Sequence, residues 1–315
     1  MWGLRSQVCS PDRPSHWQEL PPFPQSIVHY LPVTDHDERW GIVCTTAGYQ
    51  NVPPGSPYPL TQHPDSYSFT RSRGRVLGEY QLLYIVSGQG EFRSASSPAA
   101  PVKAGTVVML FPDEWHTYAP DPETGWEEWW VGFRGENIDR RVAEGFFSPK
   151  TPLLHIGHSA GIVSCYQEII RSAEEERKGF QQLVTGIVLH LLGSVLFKRD
   201  NLQYLDNPIV EKINRAREMM RRHIGDNLPP EEIARRLNIG YTWFRRTFRA
   251  YVGIAPAQYQ LQLRHNKARE LLTTTDRTVS EIAAELGFEN VSQFSAFFRQ
   301  REKITATQYR SKYGF

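Results

Sequence analysis

Three arginines, Arg245, Arg246 and Arg249, share one helical face with Tyr241 and Thr242, while Phe244, Thr247 and Phe248 share the other. The pattern is a cationic, hydrogen-bonding surface on an apolar anchor. A guanidinium forks onto O6 and N7 of guanine, so Arg245 or Arg246 suits a base edge in the major groove. Thr242 suits a thymine methyl or a base edge, and Arg249 suits phosphate. The bland alternative is a solvated cationic face. A second helix of the same build follows about fifty residues later. There Phe294, Phe297 and Phe298 turn inward, and Val291, Ser292, Ser295, Ala296 and Arg299 turn outward. Small, mostly neutral groups make single hydrogen bonds and methyl contacts, so the first helix is expected to dominate the reading of double-stranded DNA.

These helices need a frame, and the chain repeats one. Ile233-Ala234-Arg235-Arg236-Leu237, a turn, then Phe244, Phe248, Ile254 and Tyr259 recur as Ile282-Ala283-Ala284-Glu285-Leu286, a turn, then Phe294, Phe298, Ile304 and Tyr309. The second copy's extra residue falls in its turn, Gly287-Phe288-Glu289-Asn290 against Asn238-Ile239-Gly240. A short helix, a tight turn and a second amphipathic helix form a helix-turn-helix. The spacing predicts helices over 209–224, 230–237, 241–251, 256–273, 279–286, 291–301 and 305–313. Pro230 and Pro256 fall in first helical turns, where proline is tolerated. Residues 206–315 carry 19 Lys/Arg against 12 Asp/Glu, whereas residues 1–205 carry 17 against 22. The basic half suits phosphate, and the acidic half would be repelled by it.

The N-terminal half has another texture. Residues 1–40 are polar and Pro-rich and read as an arm. From about 41 to 135 short apolar runs alternate with Gly, Pro and Asp turns, including 76–86, 105–111 and 126–133. Strands without intervening helices argue for a sandwich or barrel. Helical spacing starts at 159–173 and 180–197. Leu183, Ile187, Leu191 and Val195 form a stripe with Val184, Val188 and Leu192 beside it, to pack on the strands or to join two subunits. No run of 18 apolar residues suggests a membrane span, and the N-terminus does not read as a secretory signal. Cys9, Cys44 and Cys165 are scattered, odd in number and outside any CxxC, which suits a reducing, cytoplasmic setting.

The C-terminal hundred residues resemble the AraC/XylS family of bacterial transcription regulators. The residues that carry this are Ile233-Ala234, Phe244, Arg246, Phe248, Gly253-Ile254-Ala255-Pro256, Tyr259, Arg264, Ala268, Leu271-Leu272, Val279, Ile282-Ala283, Gly287-Phe288, Phe294, Phe298, Tyr309 and Arg310. Lys303 and Ala306 stand where the family has Gly and Pro, so a looser final turn is expected. More loosely, Ser87-Gly88-Gln89-Gly90, Gly105, Phe111-Pro112, His116, Tyr118 and 126–133 are similar to the family's cupin-like sugar-binding domain. That resemblance implies a monosaccharide site with Trp130 stacking, Tyr118 and Glu128 as hydroxyl partners, and Arg73 or Arg75 as the arginine. His116 is structural or a further sugar partner. A sugar does present an apolar C–H face to an indole and hydroxyls to a few polar groups. Alternatively the tryptophans are core, and alternation lets only one of Trp129 and Trp130 line a pocket.

A metal-dependent cupin enzyme with a DNA-binding tail is the alternative of another class. His116 and Glu128 supply too few ligands for it, since 79–93 contains no histidine and His63, His155 and His158 lie outside the strands. A GxSxG, P-loop or HExxH motif is also missing. No catalytic residue, metal or cofactor is assigned. A third reading is a regulator whose barrel binds nothing and serves assembly. The expected architecture is α+β in two domains. An arm and cupin-like β-barrel occupy 1–155, a two-helix dimerisation layer 156–200, a linker 201–208, and an all-α tandem helix-turn-helix domain 209–315. The expected function is a homodimeric, effector-responsive activator of transcription, sensing a sugar and working with RNA polymerase.

Overall fold

A computed structural model describes residues 26–59, 70, 72–204, 207–226 and 228–314. Cys9, His63, most of the expected arm and part of the expected linker lie outside the described residues. The chain forms two compact units that part between Leu202 and Gln203. The first is rich in sheet and the second is helical.

The first unit runs β1 (Ser26–Tyr30), α1 (Asp35–Glu38), β2 (Val43–Val52), β3 (Tyr80–Ser94), β4 (Ala100–Lys103), β5 (Thr106–Leu110), β6 (His116–Pro120), β7 (Trp126–Arg134), α2 (Glu136–Ala143), β8 (Leu153–His155), α3 (Ala160–Glu175) and α4 (Phe180–Asn201). The strands form an antiparallel sheet in the order β1-β2-β7-β3-β5-β8, with β4 and β6 also paired to β3. β3 is long enough to serve two partnerships. Residues 81–85 pair with β5 and 80–88 with β7, then 89–92 pair with β4 and 90–94 with β6. Its apolar run is continuous because both faces are covered.

On one face, Leu82, Tyr84, Val107, Trp129, Val131 and Phe133 pack with Tyr166 and Ile169 of α3 and Val184, Val188 and Leu191 of α4. On the other, Leu83, Ile85, Phe92, Val108, Tyr118, Trp126 and Trp130 form a separate cluster. The α4 stripe is therefore core. Ile187, Leu191 and Val195 are buried with Val184, Val188 and Leu192, while Leu183 is 52% exposed. Gln181 anchors the helix start: its amide donates to the Pro32 and Cys44 carbonyls at 3.0 and 2.9 Å and accepts from the Cys44 N–H at 3.0 Å. By length and composition α4 is apolar enough to cross a bilayer, although it holds no unbroken run of 18 apolar residues. Its packing against the sheet accounts for that composition. Four elements were unforeseen: β1, an edge strand, and α1, both inside the expected arm; α2, whose buried side chain is Ile138 alone; and β8, which places His155 in a strand rather than outside the strands.

The second unit runs α5 (Ile209–Arg222), α6 (Pro230–Arg236), α7 (Tyr241–Val252), α8 (Pro256–Thr274), α9 (Val279–Glu285), α10 (Val291–Glu302) and α11 (Ala306–Tyr313). Each helix-turn-helix has its own core. Ile233, Ala234, Phe244 and Phe248 pack with α5, and Ile282, Ala283, Phe294 and Phe298 pack with Leu271, Leu272 and Tyr309. Capping explains the boundaries. Thr278 and Thr305 make capping boxes with Glu281 and Gln308, and the Asn290 side chain accepts from the Gln293 N–H at 2.8 Å. The final turn is closed rather than loose. Lys303 takes the left-handed conformation (φ 64°) that Gly253 takes after α7, and its N–H donates to the Arg299 carbonyl at 2.9 Å. For a residue with a Cβ that conformation costs about 1 kcal/mol, and Thr305 substitutes for proline as the start signal of α11.

Candidate ligand cavity and nucleic-acid interface

Alternation along the strands directs one set of side chains into a cavity. Glu128 and Trp130 of β7, Gln81 of β3, Tyr118 of β6, Thr46 and Gln50 of β2, and Val28 and Tyr30 of β1 all line it. Its free space is about 410 Å³ with the open mouth included, and about 30 Å³ of that can hold the centre of a water molecule. Gly48 faces Trp130 across the β2–β7 ladder, and a Cβ there would collide with the indole. The glycine thus gives Trp130 room to lie against the strand. Trp129 points the other way, 4.3 Å from the Tyr49 ring and 6.4 Å from the Tyr166 ring.

Of the two candidate arginines, Arg75 lines the cavity. Arg73 is exposed, and its carbonyl accepts from the Trp115 indole at 2.9 Å. Arg75 donates through Nη2 to the Tyr118 hydroxyl at 2.7 Å and through Nε to His116 Nε2 at 3.3 Å. His116, expected as structural or as a further sugar partner, is buried and is not among the residues that border this cavity; it lines a separate small void with Phe92 and Met109. Burial and the Arg75 charge push its pKa down to about 4. The ring is therefore neutral, with Nδ1 donating to the Glu114 carbonyl at 3.0 Å and Nε2 accepting from Arg75. Its role here is to orient the guanidinium.

Glu128 is buried opposite a residue not foreseen from the sequence. Tyr58, from the Pro-rich segment before the second described stretch, donates its hydroxyl to Glu128 at 3.1 Å. Burial pushes the Glu128 carboxyl up to about 7, against the Tyr58 hydrogen bond and the Arg75 charge, which both lower it. Burial likewise pushes the Tyr118 phenol up to about 12. Near neutral pH the cavity thus offers three phenols, the Thr46 hydroxyl, two amides, a guanidinium, an acid poised to ionise and an indole plane. The missed residues had a faint signal: Gln81 is polar within the apolar run of β3, and Thr46 and Gln50 share the alternation of β2. Among the described residues no group of three or more His, Cys, Asp or Glu side chains could hold a metal ion.

In the helical unit, Tyr241, Thr242, Arg245, Arg246 and Arg249 line one continuous depression on the surface of α7. Phe244 and Phe248 are fully buried beneath it. Thr242 and the three arginines are exposed, while Tyr241 is half-buried and hydrogen-bonded to Glu231. Arg235 and Arg236 of α6 are instead tied to Glu232, at 2.6 and 2.9 Å. On α10, Val291, Ser292, Ala296 and Arg299 are exposed and Ser295 is half-buried. Phe297 is half-buried rather than core, 5.1 Å from the Phe288 ring. Trp243, 40% exposed beside the arginines, was not singled out from the sequence.

Comparison with known proteins agrees with both halves. Residues 54–192 match an AraC-like ligand binding domain and residues 233–312 a helix-turn-helix domain. The Msm operon regulatory protein of Streptococcus mutans is 22% identical, with 75% of this chain and 86% of that protein aligned. The raffinose operon transcriptional regulatory protein RafR of Pediococcus pentosaceus is 22% identical over 78% of this chain and 90% of that one. A crystal structure of an AraC-type DNA-binding regulator from Chromobacterium violaceum is 30% identical, covering 32% of this chain and 91% of that one at a TM-score of 0.31. The chain belongs to the AraC family: it is a DNA-binding transcription regulator with a ligand-binding domain, not an enzyme.

The Glu128 shift has a measurable consequence. As pH rises from about 4.5 to about 7, the unfolded chain releases a proton that the folded chain keeps, so this group's contribution to stability falls across that window. Glu128→Gln keeps an acceptor for Tyr58 and removes the titration. Its melting temperature should rise relative to the unmodified protein between pH 5 and pH 7, by an amount worth at most a few kcal/mol. A difference independent of pH over that range would refute the shift.

Proposed function

We propose that this regulator is an activator that senses a sugar in the cytoplasm, through a cupin-like barrel formed by β1–β8. The observation that carries the reading is convergence: the Arg75–Tyr118 pair, the Tyr58–Glu128 pair and the Trp130 indole border one cavity. A pyranose or furanose ring offers hydroxyls to such pairs and C–H bonds to an indole. The raffinose operon regulator among its relatives supports a carbohydrate setting. A pentose, hexose and disaccharide panel read by thermal shift tests this. A sugar at about a hundred times its dissociation constant should stabilise the native state by about 2.7 kcal/mol, and Trp130→Ala should abolish the shift in a folded protein. No response to any sugar in the panel rejects the reading, and a response that survives Trp130→Ala rejects the stacking role.

Effector binding would act on transcription by changing how paired DNA-binding units are presented, through linkage between ligand affinity and arrangement, with RNA polymerase as the downstream partner. Pairing is assigned to the solvent side of α4. Leu183, Gly186, His190, Gly193 and Phe197 follow one another at alternating steps of three and four, the spacing of a coiled-coil seam. Leu183 and Phe197 are 52% and 68% exposed, and space is open over both glycines. The protein should sediment as a dimer at micromolar concentration, and Phe197→Glu should give folded monomers. A monomeric unmodified protein would remove this interface.

DNA reading is assigned to α7 first and α10 second, with Tyr241, Thr242, Arg245, Arg246 and Arg249 on the one and Val291, Ser292, Ser295, Ala296 and Arg299 on the other. At fixed salt, Arg245→Ala or Arg246→Ala should weaken specific binding by about 1–3 kcal/mol and relax preference at one base pair. Unchanged affinity in both variants would show that α7 is not the main reader.

A further inference from the structure

The connection between α5 and α6 crosses from one helix-turn-helix to the other. α5 belongs to the first core through Ile209, Ile213, Ala216 and Met220. Two residues past its end, Ile224 packs instead with the second core, which also holds Val279, Phe288 and Ile304 at its margin. Immediately beyond, two backbones touch. A Cβ on Gly225 would collide with the Glu285 carbonyl, and a Cβ on Gly287 with the Gly225 carbonyl. Gly287 also sits at φ 73°, where other residues are strained.

α8 closes this contact from the side. Arg264 donates from Nε to the Ile224 carbonyl at 3.2 Å, and its guanidinium lies 5.8 Å from the centre of the Phe288 ring. Gln260 holds the chain again at Leu228, donating to its carbonyl at 2.6 Å. α8 is the rod that joins the two copies. It packs into the first core through Tyr259 and Leu263 and into the second through Ala268, Leu271 and Leu272, and the contact at Gly225 and Gly287 is a second tie between the copies, off the axis of α8.

Two recognition helices on one duplex must meet major-groove faces about one turn, ~34 Å, apart. We infer that the Gly225–Gly287 contact, clamped by Arg264, fixes the rotation of α10 relative to α7 and so sets the spacing between the two stretches of sequence that one chain reads. These are positioning residues, remote from the DNA-facing side chains. The inference rests on the DNA-binding role of the family and not on the sugar reading.

Selection of full-length protein on a random duplex library tests it. The unmodified protein should select half-sites, one for each protomer, every half-site made of two boxes at one spacing. Gly225→Ala and Gly287→Ala should keep the first box and lose the second or relax its spacing. Their affinity for the two-box duplex should fall about tenfold or more, with affinity for a duplex holding only the first box changed by less than about threefold. If the glycine variants do not fold, Arg264→Gln, which leaves both backbones as they are, decides on the same criteria. The inference is overturned if a folded variant selects the same boxes at the same spacing and affinity. Equal weakening on both duplexes, or a single box selected by the unmodified protein, overturns it too.

Discussion

The alternation of side chains along β7 is the constraint on which the first unit depends. Trp129 and Trp130 are neighbours, yet one fills the core under α3 and α4 and the other borders the cavity. A slip of one residue would exchange them and send the Glu128 carboxyl into the helix-side core. The register is held where it must be. Gly48 opposes Trp130, and irregularities at Cys44/Thr46 and Ile85/Ser87 adjust the flanking ladders. Both faces of the strand being covered, residues 126–133 are all buried.

Placing polar groups on a buried face carries a cost. An unpaired charge there would be worth several kcal/mol of destabilisation. The protein answers with pairs: Arg75 with Tyr118 and His116, Glu128 with Tyr58, and Gln81 with Glu79 at 2.8 Å. The neutral His116 is central to this economy, because only an uncharged ring can accept from the guanidinium. A hydroxylated solute can enter such a network by exchanging partners with it. Groups that are already oriented lose little entropy on binding.

The second unit solves one packing problem twice. Phe244 and Phe248 in α7, and Phe294 and Phe298 in α10, bury the same edge of a helix against a short preceding one. The outward faces are free to differ because, apart from the half-buried Tyr241 and Ser295, their side chains are exposed and take no part in that packing. One is rich in arginine and the other is small and, apart from Arg299, neutral. Lys303 shows the tolerance of the frame, since backbone hydrogen bonding and the Thr305 cap close a turn that glycine and proline would otherwise favour.

Local regularities were legible in the sequence. Repeat spacing, helical periodicity and capping residues marked all seven C-terminal helices to within two residues, because each depends on groups close along the chain. The five α7 side chains were legible for the same reason, as one helical face. Alternation showed that only one of Trp129 and Trp130 could line a pocket, but not which. Contacts between distant segments decided the rest. The choice of Arg75 over Arg73, the retreat of His116 behind it and the arrival of Tyr58 opposite Glu128 join residues 41 to 70 positions apart. The α4 stripe reads the same whether it covers a sheet or a second subunit. Apolar periodicity records that a face is buried, and only the tertiary structure decides against what.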